Sequence, residues 1–217
     1  LSFKGLWEVF TGPGKFFDRL KDDPRILVPW IAMILMGVLY SFFLRDIMAQ
    51  TQIEAARAQG REIPDAAIGF VKISVMVGMP VMMVIGPLIV AAITLFFTNV
   101  IFSLRTKFSH LLSVVLYAGI INLVGLLLTV PLVLQKGSMD VSFSPAVLVA
   151  DQGIQSFAYQ ALAQFNVFNI WQIVVAGIGF RYICRTTSNK GYTIAVLSYG
   201  IIILVSIGMA ALGQAFN

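Results

Sequence analysis

The sequence predicts an all-α, polytopic membrane protein: a bundle of five transmembrane helices with short interfacial helices before it. Three observations carry that expectation. The 217 residues are 59% hydrophobic and only 12% charged, with a mean hydropathy of +0.90, whereas soluble domains average roughly 45–50% apolar and about 25% charged. Five stretches each reach the roughly 20 apolar residues that a helix needs to cross a hydrocarbon core about 30 Å thick. The charges fall almost entirely between those stretches. A soluble fold, a disordered chain and a collagen-like chain are excluded by the same composition, and the single cysteine, Cys184, excludes an intrachain disulfide framework or a cysteine-rich metal site.

Residues 1–25 form an amphipathic lead and 26–217 the transmembrane domain. The chain opens on Leu1 rather than Met, so an earlier piece is expected to have been processed away or left out. No cleavable signal is visible, because the first 25 residues hold nine charges and no apolar core of the required length. Phe3, Leu6, Trp7 and Phe10 recur at helical spacing and line one face. Thr11 to Gly14 should break that helix, and a second short one comes next, with Phe16, Phe17 and Leu20 set against Lys15, Asp18, Arg19 and Lys21. Two readings stand side by side: the rings lie in the headgroup plane with the lysines toward anionic lipid, or they pack on the ends of the protein's own helices.

The expected spans are about 26–44, 73–104, 108–134, 167–183 and 193–215. Residues 46–60 read as the first helix continuing into external water and stopping at Gly60, with Pro64 barring its resumption. The second span is longer than one crossing requires, so it tilts or projects. Before the fourth span, Ile154, Phe157, Ala158, Ala161, Leu162 and Phe165 keep helical spacing and suggest an amphipathic helix on the outer face. Orientation comes from lysine and arginine. With the N-terminus inside and the C-terminus outside, ten of the fifteen basic residues lie in the cytoplasm, among them Lys4, Lys15, Arg19, Lys21, Arg25, Arg105 and Lys107.

Catalysis requires a nucleophile, an acid–base pair, a metal or a cofactor held in a cleft, and the chain offers little of this. No catalytic, cofactor-binding or metal-ligating residues are expected. His110 is the one histidine, so neither a paired-histidine metal site nor an HExxH helix is possible. It stands near Arg105 and Lys107 at a membrane edge and reads as a surface residue. Within the spans no Asp, Glu, Lys or Arg occurs away from the ends, where Lys72 and Arg181 can snorkel. That argues against a proton-coupled transporter.

The polar groups at depth are neutral. Asn166, Asn169 and Gln172, at three-residue steps, place amides along the fourth span, and Asn122 sits mid-way along the third. Hydrogen bonding to neighbouring helices is their usual role; a polar ligand pocket, closed by Trp171 and Tyr199, is the other reading. Pro80 and Pro87, with Gly78 and Gly86 beside them, should kink or locally unwind the second span. Gly119, Gly125, Gly177, Gly179, Gly200 and Gly208 are expected at close helix contacts.

The lead Gly12-Pro13-Gly14-Lys15-Phe16-Phe17-Asp18-Arg19-Leu20, then Asp23-Pro24 and Pro29-Trp30, resembles the opening of bacterial members of the Yip family, named for its Ypt/Rab-interacting eukaryotic members. The run Phe165-Asn166-Val167-Phe168-Asn169-Ile170-Trp171, with Gly177-Ile178-Gly179, is similar to the family's fourth span, and the short basic connection from Arg181 to Lys190 is similar to its link to the fifth. The resemblance covers nearly the whole chain and rests on order and spacing. It implies a five-helix domain that organises membranes or associates with other membrane proteins, including export machinery in bacteria, and implies no settled reaction. The eukaryotic Asp-Leu-Tyr-Gly-Pro segment is absent, which counts against a small-GTPase partner, and Asn166 stands where similar bacterial sequences often carry an acid.

The expected function is therefore a non-enzymatic accessory or scaffold of a bacterial cytoplasmic membrane, associating laterally with another membrane protein, an export complex or lipid. It takes no cofactor and no nucleic acid. The alternative is a channel or carrier for a neutral or lipid-like solute, with its site near Pro80, Pro87 and the amides.

Overall fold

The computed structural model describes residues 4–215; Phe3, expected on the aromatic face of the lead, lies outside the described residues. Helices α1 (Lys4–Thr11) and α2 (Pro13–Leu20) are separated at Gly12, with Pro13 opening α2 where its missing N–H costs nothing. Next come α3 (Leu27–Ala58), α4 (Asp65–Phe96), a π-helical turn (Phe97–Ile101), α5 (Phe108–Lys136), a 3₁₀ segment (Pro145–Gln152), α6 (Phe157–Ala163), α7 (Val167–Ile183) and α8 (Ser188–Ala215). Five helical stretches are long and apolar enough to cross a membrane, and among the described residues there is no strand.

Helix α5 is the centre of the bundle. Residues 111–121 are buried without interruption, on every side of the helix, as expected for a segment apolar all round. Helices α3, α4 and α7 pack along it, α8 packs on α7, and α1 and α2 cover α5 and α7 at the end where the chain begins. The packing there is made of rings on small residues. Phe16 lies over Gly5 and edge-on to Tyr117, with ring centroids 4.6 Å apart. Phe17 is fully buried against Gly179, and Gly14 sits on the Tyr182 ring. Of the two readings of the lead, the rings of Phe10, Phe16 and Phe17 therefore obey the second and pack on the protein's own helices. Trp7 differs: it is 70% exposed.

Helix α3 runs 32 residues, about 48 Å at about 1.5 Å per residue, and outlasts a hydrocarbon core of about 30 Å. It ends where Gly60 takes a left-handed φ of +71°, and Pro64 leads into α4. The extended part pairs with the start of α4 as a helical hairpin. Lys72 of α4 binds Asp46 of α3 at 2.7 Å at its base, while Ala49 and Ile53 fill the interior.

Two expectations are corrected. Of the kink or local unwinding expected at Pro80 and Pro87, the unwinding does not occur: helix α4 runs unbroken through both. Pro80 has no N–H to donate to the Met76 carbonyl one turn earlier. The Ser41 hydroxyl of α3 is shared between that carbonyl, at 3.2 Å, and the Val38 carbonyl of its own helix, at 3.1 Å. Gly37, one turn before Ser41, permits the approach: a Cβ there would stand 3.3 Å from the Pro80 Cα. The freed backbone group is thus satisfied across the helix pair, and the helix need not open. Secondly, Gly119, Gly125, Gly177 and Gly179 do lie at close contacts, but Gly200 and Gly208 of α8 face open space. The tightest backbone approach falls instead at Gly191, which its sequence context does not single out. A Cβ on Gly191 would lie 2.6 Å from the Gly177 carbonyl oxygen and 2.8 Å from the Arg181 nitrogen, so the α7 and α8 backbones touch there.

The expected amphipathic helix before the fourth span is shorter than its spacing suggested. Helix α6 starts at Phe157, because the Ser156 hydroxyl caps it by accepting from the Tyr159 N–H. The chain breaks again before α7.

The Gly191 contact yields a comparison in detergent. Gly191→Leu should lower the thermal midpoint markedly, since overpacking costs about 1–3 kcal/mol even where side chains can shift and here the obstacle is backbone. Gly208→Leu should leave it unchanged. Equal losses at both positions would contradict this packing.

Candidate functional site

The polar groups within the bundle converge where α5, α7 and α8 meet. Asn122, at the middle of α5, donates through its amide to the Gln172 side-chain oxygen on α7. The Gln172 amide donates onward to the Tyr199 hydroxyl of α8 at 3.3 Å. One side-chain relay therefore ties three helices together at membrane depth, where such bonds contribute about 0.6–2 kcal/mol each.

The strip of three amides does not persist as one face. Asn166 is the N-cap of α7, its side-chain oxygen accepting from the Phe168 N–H at 2.9 Å. Asn169 donates to the Gln164 backbone carbonyl at 3.2 Å, which fastens the break between α6 and α7. Only Gln172 reaches other spans. Trp171 is 40% exposed, and its ring meets Phe10 of α1 edge-on at 5.6 Å.

Beside the relay lies a cavity of about 260 Å³. Gln164, Asn169, Gln172 and Tyr199 form its polar wall, and Met33, Pro87 and residues of α4 and α8 form the apolar remainder. The structure thus brings Pro87, Asn169 and Gln172 together. Pro80 and Asn166 are occupied elsewhere. Gln164 was missed from sequence because it sits at the end of an apolar helical pattern, and only the chain break at 164–166 turns it toward the amides.

A second recess, about 240 Å³, lies between α1, α2, the link residues Asp23 and Arg25, and Tyr117 of α5. Its charged groups neutralise one another: Glu8 binds Arg19 and, at 3.7 Å, Lys4, while Arg25 binds Asp23 at 2.8 Å. His110 is half-buried, with the Ser109 hydroxyl 3.5 Å from its Nδ1. Among the described residues no group of three or more His, Cys, Asp or Glu could hold a metal ion. Cys184 is buried; burial pushes its thiol up from the ordinary value, with a hydrogen bond to Thr106 acting in the opposite direction. A raised thiol holds less thiolate near neutral pH and is a poor nucleophile.

These features define a class: a multi-pass helical membrane protein with neutral polar groups at depth, one relay of which joins three helices. The Yip1 domain model matches residues 7–210, and the chain belongs to that family. The membrane protein YknW of Bacillus subtilis (strain 168) is 21% identical over 207 residues, covering 93% of this chain and 88% of that protein. No solved structure matches the chain.

The relay is testable by a double-mutant cycle of Asn122→Leu and Gln172→Leu on unfolding in detergent. A coupling of about 0.6–2 kcal/mol is expected; additive losses would show that the two amides do not act together.

Proposed function

We propose that this Yip1-family protein is a non-enzymatic accessory or scaffold of a bacterial cytoplasmic membrane, with its N-terminus in the cytoplasm, acting by lateral association with another membrane protein, such as an export complex, or with lipid. The observation that supports this reading best is the treatment of the aromatic lead. The bundle absorbs Phe10, Phe16 and Phe17, so α1 is held in a fixed pose, and it leaves Trp7 exposed at 70%. Around that end stand the exposed side chains of Lys15, Arg19, Arg25, Arg105, Lys107, Arg181, Arg185 and Lys190. A tryptophan at headgroup level and a cationic rim suit the anionic cytoplasmic leaflet, or a partner seated there.

The cavity beside Pro87, Asn169 and Gln172 favours a second reading, a carrier or channel for a neutral or lipid-like solute. Its wall holds amides and a phenol and no charge to couple to an ion gradient.

The two residues of the lead separate surface from packing. Trp7→Ala should reduce partner or lipid recovered with the protein in mild detergent while leaving its thermal midpoint unchanged, whereas Phe10→Ala should lower the midpoint as well. Lys136→Ala, at the opposite end, should do neither. Mass spectrometry of the co-eluting material reads the outcome, and a monomer that retains no partner and no lipid contradicts the proposal.

A further inference from the structure

We propose that the cavity between α4, α7 and α8 binds one neutral amphiphile, a lipid whose uncharged ester- or amide-bearing head docks on the Tyr199–Gln172–Asn169 wall while its chain leaves past Gly86 into the bilayer. This deepens the second reading above by naming the occupant, yet binding does not require that the occupant be moved.

The charge of the ligand is set by the walls. Of the residues lining the cavity none is Asp, Glu, Lys, Arg or His. A charged head would give up its hydration without meeting a counter-charge, which is strongly unfavourable. Its hydrogen-bonding character is set by what the wall leaves over. Tyr199 is buried, 8% exposed, and its oxygen accepts from Gln172, but its own O–H has no acceptor among the described residues. Each primary amide carries two N–H donors; Gln172 and Asn169 each use one within the protein. The Gln172 oxygen is taken by Asn122. Donors and acceptors are both left over, since the Asn169 and Gln164 side-chain oxygens accept no hydrogen bond among the described residues while their amides donate to backbone; together they match a neutral head that carries a carbonyl or ether oxygen beside a hydroxyl.

Size sets the rest. A cavity of roughly 150 Å³ holds a benzene, so about 260 Å³ takes a small head and the first methylenes, and not a whole lipid. The chain needs an exit. Gly86 lines the cavity on α4, and a Cβ there would meet nothing within 4 Å. Its neighbours Met82, Ile85 and Ile89 are exposed on the outer surface of the same helix. Val90, Ile202 and Ile203 supply apolar wall to the same cavity as Gly86.

The probe is 1-monooleoylglycerol with a diazirine in its acyl chain, photolysed with the protein in phosphatidylcholine nanodiscs and mapped by mass spectrometry. Saturable labelling of Val90, Ile202 and Ile203 is expected, displaced by unlabelled monooleoylglycerol but not by oleate, which is charged, nor by glyceryl monoacetate, which lacks the chain. Tyr199→Phe keeps the ring and removes the hydroxyl, both the free donor and the acceptor for Gln172, and should weaken occupancy about twofold to tenfold. Gly86→Phe fills the space without removing a hydrogen bond and should abolish the labelling while the protein remains folded. Unsaturable labelling spread over all exposed helix faces, equal displacement by oleate or glyceryl monoacetate, or wild-type labelling of Gly86→Phe overturns the proposal. Solute flux in proteoliposomes separates the two claims: saturable labelling without flux keeps the site and removes the carrier, and flux without labelling of these residues removes the site.

Discussion

The rest of the structure depends on the burial of α5. A helix inside lipid gains nothing from the hydrophobic effect by leaving lipid for protein, because the acyl chains are as apolar as its neighbours. Residues 111–121 are nevertheless enclosed on all sides, so close contact and a few polar links must hold the enclosure. Each flank supplies a different one. Met33 of α3 rests on Gly119, Phe168 of α7 on Gly125, and Val114 of α5 itself on Gly179 of α7. Asn122 provides the polar link to α7 and through it to α8. Helix α4 packs along a further side, and the last is closed by the rings of α1 and α2, which do leave water, and there burial stabilises by about 1.5–3 kcal/mol for a large apolar side chain.

Polar groups at depth obey one rule: each is neutral, and most are set against a particular backbone or side-chain need. Ser41 satisfies a carbonyl that Pro80 cannot. Asn166 caps α7 and Asn169 secures the turn before it. Charge is kept to the two ends, where Lys72 meets Asp46 and Arg185 approaches Asp22 at 3.8 Å. Exceptions are the Trp30 indole N–H and the Ser198 hydroxyl, buried without a partner, and the wall of Tyr199, Gln172 and Asn169, which leaves both donors and an amide oxygen unused. Structural polarity and a binding wall thus share the same residues, and that juxtaposition gives the cavity its chemical character.

Much of this was legible from sequence because it depends on local pattern. Hydropathy located five spans, Gly60 and Pro64 marked the end of α3, and the order of small motifs pointed to the Yip family. The features that escaped depend on partners far along the chain. Pro80 reads as a helix breaker until Ser41, thirty-five residues from Met76, is found against the carbonyl that the proline frees. Gly191 carries no stronger signal than Gly200 or Gly208; only the crossing of α7 and α8 makes one indispensable and leaves the others free. Asn166 shares its spacing with Asn169 and Gln172, and its role as a cap depends on where the backbone leaves the helix. Residue type and period predict which helices exist, while register between helices decides which polar groups remain available to a ligand.

Footprinting the unmodified protein in nanodiscs with a small diazirine that partitions into lipid tests the enclosure of α5 directly. Residues 111–121 should remain unlabelled throughout, with no helical period, while Leu127, Leu128, Leu132 and Leu134 of the same helix, all exposed, should label strongly. A labelled residue every three or four positions between 111 and 121 would mean that α5 faces lipid, and the enclosed-helix bundle would be wrong.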